Sequence, residues 1–209
     1  MRCIAERRDV MYETVMSHPS KIAELQQAKT VGYQIAIHFV ATDDPSRYGR
    51  TMAFAPIAIG YADQALVFDN SNRGADGGLQ LQAQLVGQKL ELMTEKPAKW
   101  VGALLGRVND RADELSRIQD DAGTRAMPLN LARLDGGQTQ GPIEVLGPYY
   151  AIQQDLQTKA LIVHDRTLLP ADLQVEQGRS YRTGYREGVG KVEALGQDRQ
   201  PVAPPALPG

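Results

Sequence analysis

Arg47 and Arg50 stand three residues apart, on one face of a helix that begins by Arg47. Two guanidiniums with no carboxylate in the same turn suit a polyanionic phosphate. Solvated surface arginines account for the same spacing more plainly. Glu13 and Thr14 close a predicted strand, Val10 to Met16. In an open α/β sheet, ligands bind beyond the carboxyl ends of strands. A carboxylate beside a hydroxyl there can hold a sugar or nucleotide hydroxyl, or simply cap the strand. Asp69-Asn70-Ser71 ends another predicted strand and offers either the edge of a nucleotide pocket or a turn. His18 falls in a turn, His38 inside a strand, and His164 at a strand end before Asp165. No pair of histidines has metal-ligand spacing, so no metal is expected, and no nucleophile completes a triad.

No G-x-x-x-x-G-K-[ST] string occurs. The nearest, Gly188-Val189-Gly190-Lys191-Val192, lacks the first glycine, the hydroxyl residue and a following helix. Nothing obvious therefore supplies the backbone amides and lysine that cradle ATP phosphates.

The elements that must position these residues follow from pattern. Ser20 is the expected N-cap of a helix carrying Ile22, Leu25 and Ala28, which Gly32 ends. Residues 33–42 (YQIAIHFVAT) form an apolar run typical of a central parallel strand buried on both faces. A helix over 48–61 with Pro56 inside, a strand over 65–68 and a hairpin over 81–93 follow. Pro97 is the expected N1 residue of a helix bearing Trp100, Val101, Leu104 and Leu105. Residues 107–125 are polar and predict an exposed helix or linker, and 126–141 hold little core. From Pro142, short strands punctuated by glycines predict a small β-rich module, barrel-like or a curled sheet. The fold class is thus α/β, a parallel sheet with helices followed by a small β-rich domain. The expected organisation is 1–106, a polar helix or linker over 107–140, a β-rich unit over 141–196, and a Pro-rich disordered tail over 197–209.

The 209 residues carry 23 Lys+Arg against 25 Asp+Glu, a formal charge of -2, which excludes a grossly basic nucleic-acid coat protein. One cysteine, Cys3, excludes an internal disulfide framework. No apolar run approaches the ~20 residues that cross a bilayer, and the charged start from Met1 is no secretory signal. A cytoplasmic protein without membrane association is expected.

ETVMSHPSKI (13–22), AKTVGYQIAIHFVATDDP (28–45), RYGRTMAFAPIAIGYADQALVFDNS (47–71) and LELMTEKPAKWV (90–101) together resemble the zeta-toxin-like P-loop kinases. The resemblance implies a P-loop kinase fold that uses ATP and Mg to phosphorylate UDP-N-acetylglucosamine, within a toxin–antitoxin context. It implies that Glu13 and Thr14 contact the substrate's sugar, that Arg47 and Arg50 neutralise the transferring phosphate as catalytic residues, and that Asn70 lies near the nucleotide. Val15 replaces the second threonine of the family's ETT signature. The family's N-terminal strand, phosphate loop, acidic base and arginine-rich lid have no counterpart here. The expectation is a truncated member, resembling the carboxyl-terminal part of a kinase with an internal deletion and non-catalytic as this chain.

GPIEVLGPYYAIQ (141–153), ALIVHD (160–165), Gly178 and YREGVGKV (185–192) resemble the KfrB-like domain of plasmid and mobile-element proteins. The alternative reading is a non-catalytic accessory protein whose KfrB-like domain binds a protein or DNA partner. Partners implied are a nucleotide-sugar ligand and an antitoxin or other protein. Residues 141–193 hold 6 Lys+Arg and 7 Asp+Glu, which gives no strong nucleic-acid signal.

Overall fold

Pro19 sets the start of the first helix, α1 (Pro19–Thr30), because its fixed φ suits the first helical position and its missing N–H costs nothing there. In the computed structural model, which describes residues 11, 14, 16–42, 49–71, 78–171 and 174–196, His18 is therefore the N-cap rather than Ser20. The His18 Nδ1 accepts the Ser20 backbone N–H at 3.2 Å. Met11, Thr14 and Met16, the described residues of the segment expected as a strand, lie in no strand.

Strands β1 (Ala36–Ala41) and β2 (Gln64–Asp69) pair in parallel, joined through helix α2 (Gly49–Tyr61). β3 (Gln80–Val86) and β4 (Lys89–Leu92) form a hairpin that extends the sheet antiparallel, in the order β1-β2-β3-β4. Phe39, Ala65, Val67, Ala83 and Leu90 face Ala55 and Ile59 of α2. They also meet Val101, Leu104 and Val108 of helix α3 (Lys99–Thr124). The expectation that β1 is central and buried on both faces is corrected. Among the described residues it is an edge strand, with Phe39 and Ala41 inward and Val40 45% exposed. Alternation of this kind is what a strand covered on one face shows.

α3 begins at Lys99, with Ala98 as its N-cap and the Ala98 N–H held by the Gln82 Oε1 at 2.8 Å, so Pro97 precedes the cap. The helix runs without a break to Thr124, so the point between residues 106 and 107 lies within it. The stretch expected as an exposed helix or linker is helix, and it is not exposed all round: Val108, Arg111, Glu114 and Ala122 form a buried face.

The remaining strands are β5 (Leu129–Leu131), β6 (Gly137–Leu146), β7 (Tyr150–Gln154), β8 (Leu161–Asp165), β9 (Ser180–Arg186) and β10 (Val189–Ala194). They form one sheet in the order β10-β9-β6-β7-β8-β5, antiparallel except for β5 with β8. β9 and β10 are joined by Glu187 (φ 50°) and Gly188 (φ 77°), the two positive φ values of a type I′ hairpin turn.

The two sheets share a core. Ile22, Leu25, Ile57 and Ala58 of the first half pack with Ala132, Leu134, Leu168 and Tyr185 of the second. Ala132 and Leu134 belong to the stretch expected to hold little core, which is corrected here. Across this junction the Gln26 amide group imitates a strand backbone. Its Nε2 donates to the Ala132 carbonyl at 2.8 Å and its Oε1 accepts the Leu134 N–H at 2.7 Å. Among the described residues, no helix is long and apolar enough to cross a membrane.

Candidate functional site

Parallel pairing brings the carboxyl ends of β1 and β2 side by side, with Ala41 opposite Asp69. The Asn70 N–H donates to the Ala41 carbonyl at 2.8 Å and carries the pairing one residue past β2. Asp69 is buried, and its Oδ1 accepts from the Ser71 hydroxyl at 2.6 Å and the Trp100 indole N–H at 3.3 Å. Trp100 in turn meets Phe39 edge-on at 6.0 Å. The Asp69 carboxylate therefore fixes the turn and the start of α3. Asn70 is half-buried, and its side chain bonds to no other described residue.

Of the residues singled out by sequence, Glu13 and Arg47 lie outside the described residues, as does the side chain of Arg50. Arg50 itself is in the first turn of α2. In a β–α–β unit that turn starts from the edge where the preceding strand ends, which is the edge holding Asn70. Thr14 is half-buried outside any strand, with no described contact to Asn70. Among the described residues, no group of three His, Cys, Asp or Glu side chains could hold a metal.

The residues present do not fit an ATP cradle. The β1-to-α2 connection reads Thr42-Asp43-Asp44-Pro45-Ser46-Arg47-Tyr48, with no glycine run and no lysine. The Gly188-to-Lys191 string forms the hairpin turn and the start of β10, not a loop before a helix. Lys191 pairs with Glu193 at 2.8 Å, and a Cβ on Gly190 would approach the Leu168 carbonyl oxygen to 2.8 Å.

A second polar cluster lies under α3. Arg111, 5% exposed, pairs with Asp165 at the end of β8. Its guanidinium lies between the rings of Tyr149 and Tyr150, 5.3 and 5.0 Å from their centroids. One turn along, the Glu114 carboxylate accepts the N–H groups of Tyr149 and Tyr150 at 3.0 and 3.1 Å. Burial raises the Asp165 carboxyl above the usual range, with Arg111 pulling the other way. A cavity of about 120 Å³ adjoins the pair, walled by Gly60, Tyr61, Ala112, Leu131 and Leu168. Burial also pushes the Tyr61 hydroxyl upward. Every charge here is matched within the fold, so the cluster joins elements rather than offering a nucleophile or a free base.

His164, given a strand-end role by sequence, is 1% exposed in the second sheet. The Gln153 Nε2 donates to the carbonyls of Gly141 and Tyr181 at 2.8 and 2.7 Å. Its Oε1 must then accept, so the His164 Nε2 donates to it at 3.0 Å and the Nδ1 accepts the Tyr185 hydroxyl at 2.9 Å. Burial drives the imidazole down to about 4. The only sequence signal for this network was the His-Asp pair at a strand end. Gln153 and Tyr185 lie too far along the chain to be linked to it by spacing.

The chain matches no protein-family model, no curated protein and no solved structure.

Proposed function

We propose that this chain is a non-catalytic relative of the zeta-toxin kinases, cytoplasmic and carried by a plasmid or mobile element. In this reading its first sheet keeps a nucleotide-sugar-binding edge without phosphoryl transfer. The observation carrying the reading is the carboxyl edge of β1 and β2, where the Asn70 backbone is tied to Ala41 and its side chain bonds to no other described residue. Arg50 in the first turn of α2 supplies charge suited to a diphosphate. Non-catalysis is supported by the chemistry: phosphoryl transfer is positioning plus electrostatics, and these 209 residues contain no G-x-x-x-x-G-K-[ST] string.

Calorimetric titration with UDP-N-acetylglucosamine tests the binding half. Saturable heat, weakened at least tenfold by Asn70→Ala and by Arg50→Ala, is expected. Incubation with radiolabelled ATP tests the other half. Labelled sugar nucleotide formed faster than by a Glu13→Ala control would overturn non-catalysis, and absence of any saturable heat at millimolar ligand would overturn binding.

A further inference from the structure

Three clusters of core side chains meet at the cavity beside Arg111 and do not close on one another. Ile59 and Val108 come from the core of the first sheet, Ile57 and Leu168 from the shared core, and Val163 from the cluster of the second sheet. Ligand pockets form preferentially at such interfaces between packed units. The space of about 120 Å³ is slightly below the roughly 150 Å³ of an apolar cavity that takes up benzene. Apolar walls gain dispersion contacts from an apolar occupant and hold water poorly. Between the β3–β4 turn and β5, Gln88 and Leu131 of the lining are exposed, so the cavity reaches solvent there.

The polar groups of the wall gather around Asp165. Its Oδ2 accepts from Arg111 and its Oδ1 accepts the Thr167 N–H at 2.9 Å, which leaves the carboxylate with accepting capacity. Tyr61 lies near enough to feel that charge, which adds to the burial that raises its hydroxyl. The Tyr61 hydroxyl accepts from the Gln26 Nε2 at 3.3 Å, and among the described residues nothing accepts its own proton.

A donor and an acceptor on an otherwise apolar wall match a single hydroxyl, which accepts from Tyr61 and donates to Asp165. The match is to a neutral molecule. Arg111 and Asp165 already balance each other, so a charged ligand would bring in a buried charge with no partner.

We infer that this cavity binds a small neutral molecule of about seven non-hydrogen atoms, an apolar body carrying one hydroxyl set between Tyr61 and Asp165. Phenols and alicyclic alcohols belong to this class. The inference is independent of whether the first sheet binds a nucleotide sugar, and it leaves Arg111 and Asp165 paired.

The test uses the full chain with labelled isoleucine and valine methyls, titrated with phenol, toluene, benzoate and benzylamine. Phenol should give saturable shifts of the Ile57, Ile59, Val108 and Val163 methyls and leave those of Val145 and Val189 unmoved. Toluene, the same shape without the hydroxyl, should bind at least tenfold more weakly, about 1.4 kcal/mol. Benzoate and benzylamine should give no saturable shift. Tyr61→Phe keeps the apolar walls and should bring phenol to within about threefold of toluene. Ala112→Leu should fill the space and abolish binding of both, with the urea midpoint reporting that the chain still folds. Phenol shifts that stay linear to ~10 mM overturn the proposal. So does toluene binding as tightly as phenol, a charged ligand that saturates the same methyls, or a tenfold phenol preference that survives Tyr61→Phe.

Discussion

A neutral imidazole locked between a glutamine carbonyl and a tyrosine hydroxyl is a protonation-dependent part of the fold. His164 has a folded pKa near 4 against an ordinary 6.5, because burial disfavours its charged form. The unfolded chain therefore binds more protons between these values, and stability rises with pH across them. The contribution is complete above about pH 6.5 and is lost as pH falls toward 4. Over that window it amounts to roughly 3 kcal/mol. Asp165, raised by burial, works in the opposite sense as it becomes protonated. Urea midpoints from pH 7.5 down to pH 4.5, compared with those of His164→Gln, isolate the histidine. The expected outcome is a steeper fall in the parent chain, and parallel curves would contradict it.

At the scale of elements, α3 splints the two sheets, and the 147–150 turn fits it closely enough that Gly147 has no room for a side chain. A Cβ there would lie 2.0 Å from the Glu114 Oε1. Gly147→Ala should cost about 2 kcal/mol by pushing the turn off the helix. In a Glu114→Ala background the same change should cost less than about 1 kcal/mol, since the two residues share one contact. A double-mutant cycle by urea denaturation checks this, and additivity would refute it. The same helix shows how far the sequence was legible. α2, β2 and the β3–β4 hairpin follow from apolar periodicity, because their inward residues are apolar apart from Asp69 and Gln82. The buried face of α3 beyond residue 106 escaped, because its inward residues include Arg111 and Glu114. Charged residues are read as a solvated face until their partners are known, and Tyr149, Tyr150 and Asp165 come later in the chain. β1 was misplaced for a related reason. An apolar run records composition, whereas its place at the described sheet's edge depends on which strands pair with it. At the candidate site, the parallel pairing of β1 with β2 was readable from the strand–helix–strand order, but the tie between Asp69 and Trp100 was not.

At the scale of the whole molecule, the common core and the Gln26 clasp make the two sheets one cooperative unit. Trp100 lies on the first sheet, whereas far-UV circular dichroism reports both. The two signals should give a single coincident urea transition. Gln26→Ala should move both together by about 1–3 kcal/mol, having left the Ala132 and Leu134 backbone groups unpaired. Two separated transitions would show that the halves fold independently. The hairpin turn at Glu187 and Gly188 adds a constraint of timing. A Cβ on Gly188 would stand 2.2 Å from the Pro19 carbonyl oxygen, so the last hairpin closes against the first residue of α1. During synthesis at ~5–20 residues per second, α1 emerges roughly 10–30 s before that turn. Ile22 and Leu25 meet Ile57 and Ala58 early and Ala132 and Leu134 later, but their last core partner, Tyr185, follows only at the end of that interval. The nascent chain thus holds out a helix face whose cover is completed only after Tyr185 has followed, a window in which chaperone capture competes with folding.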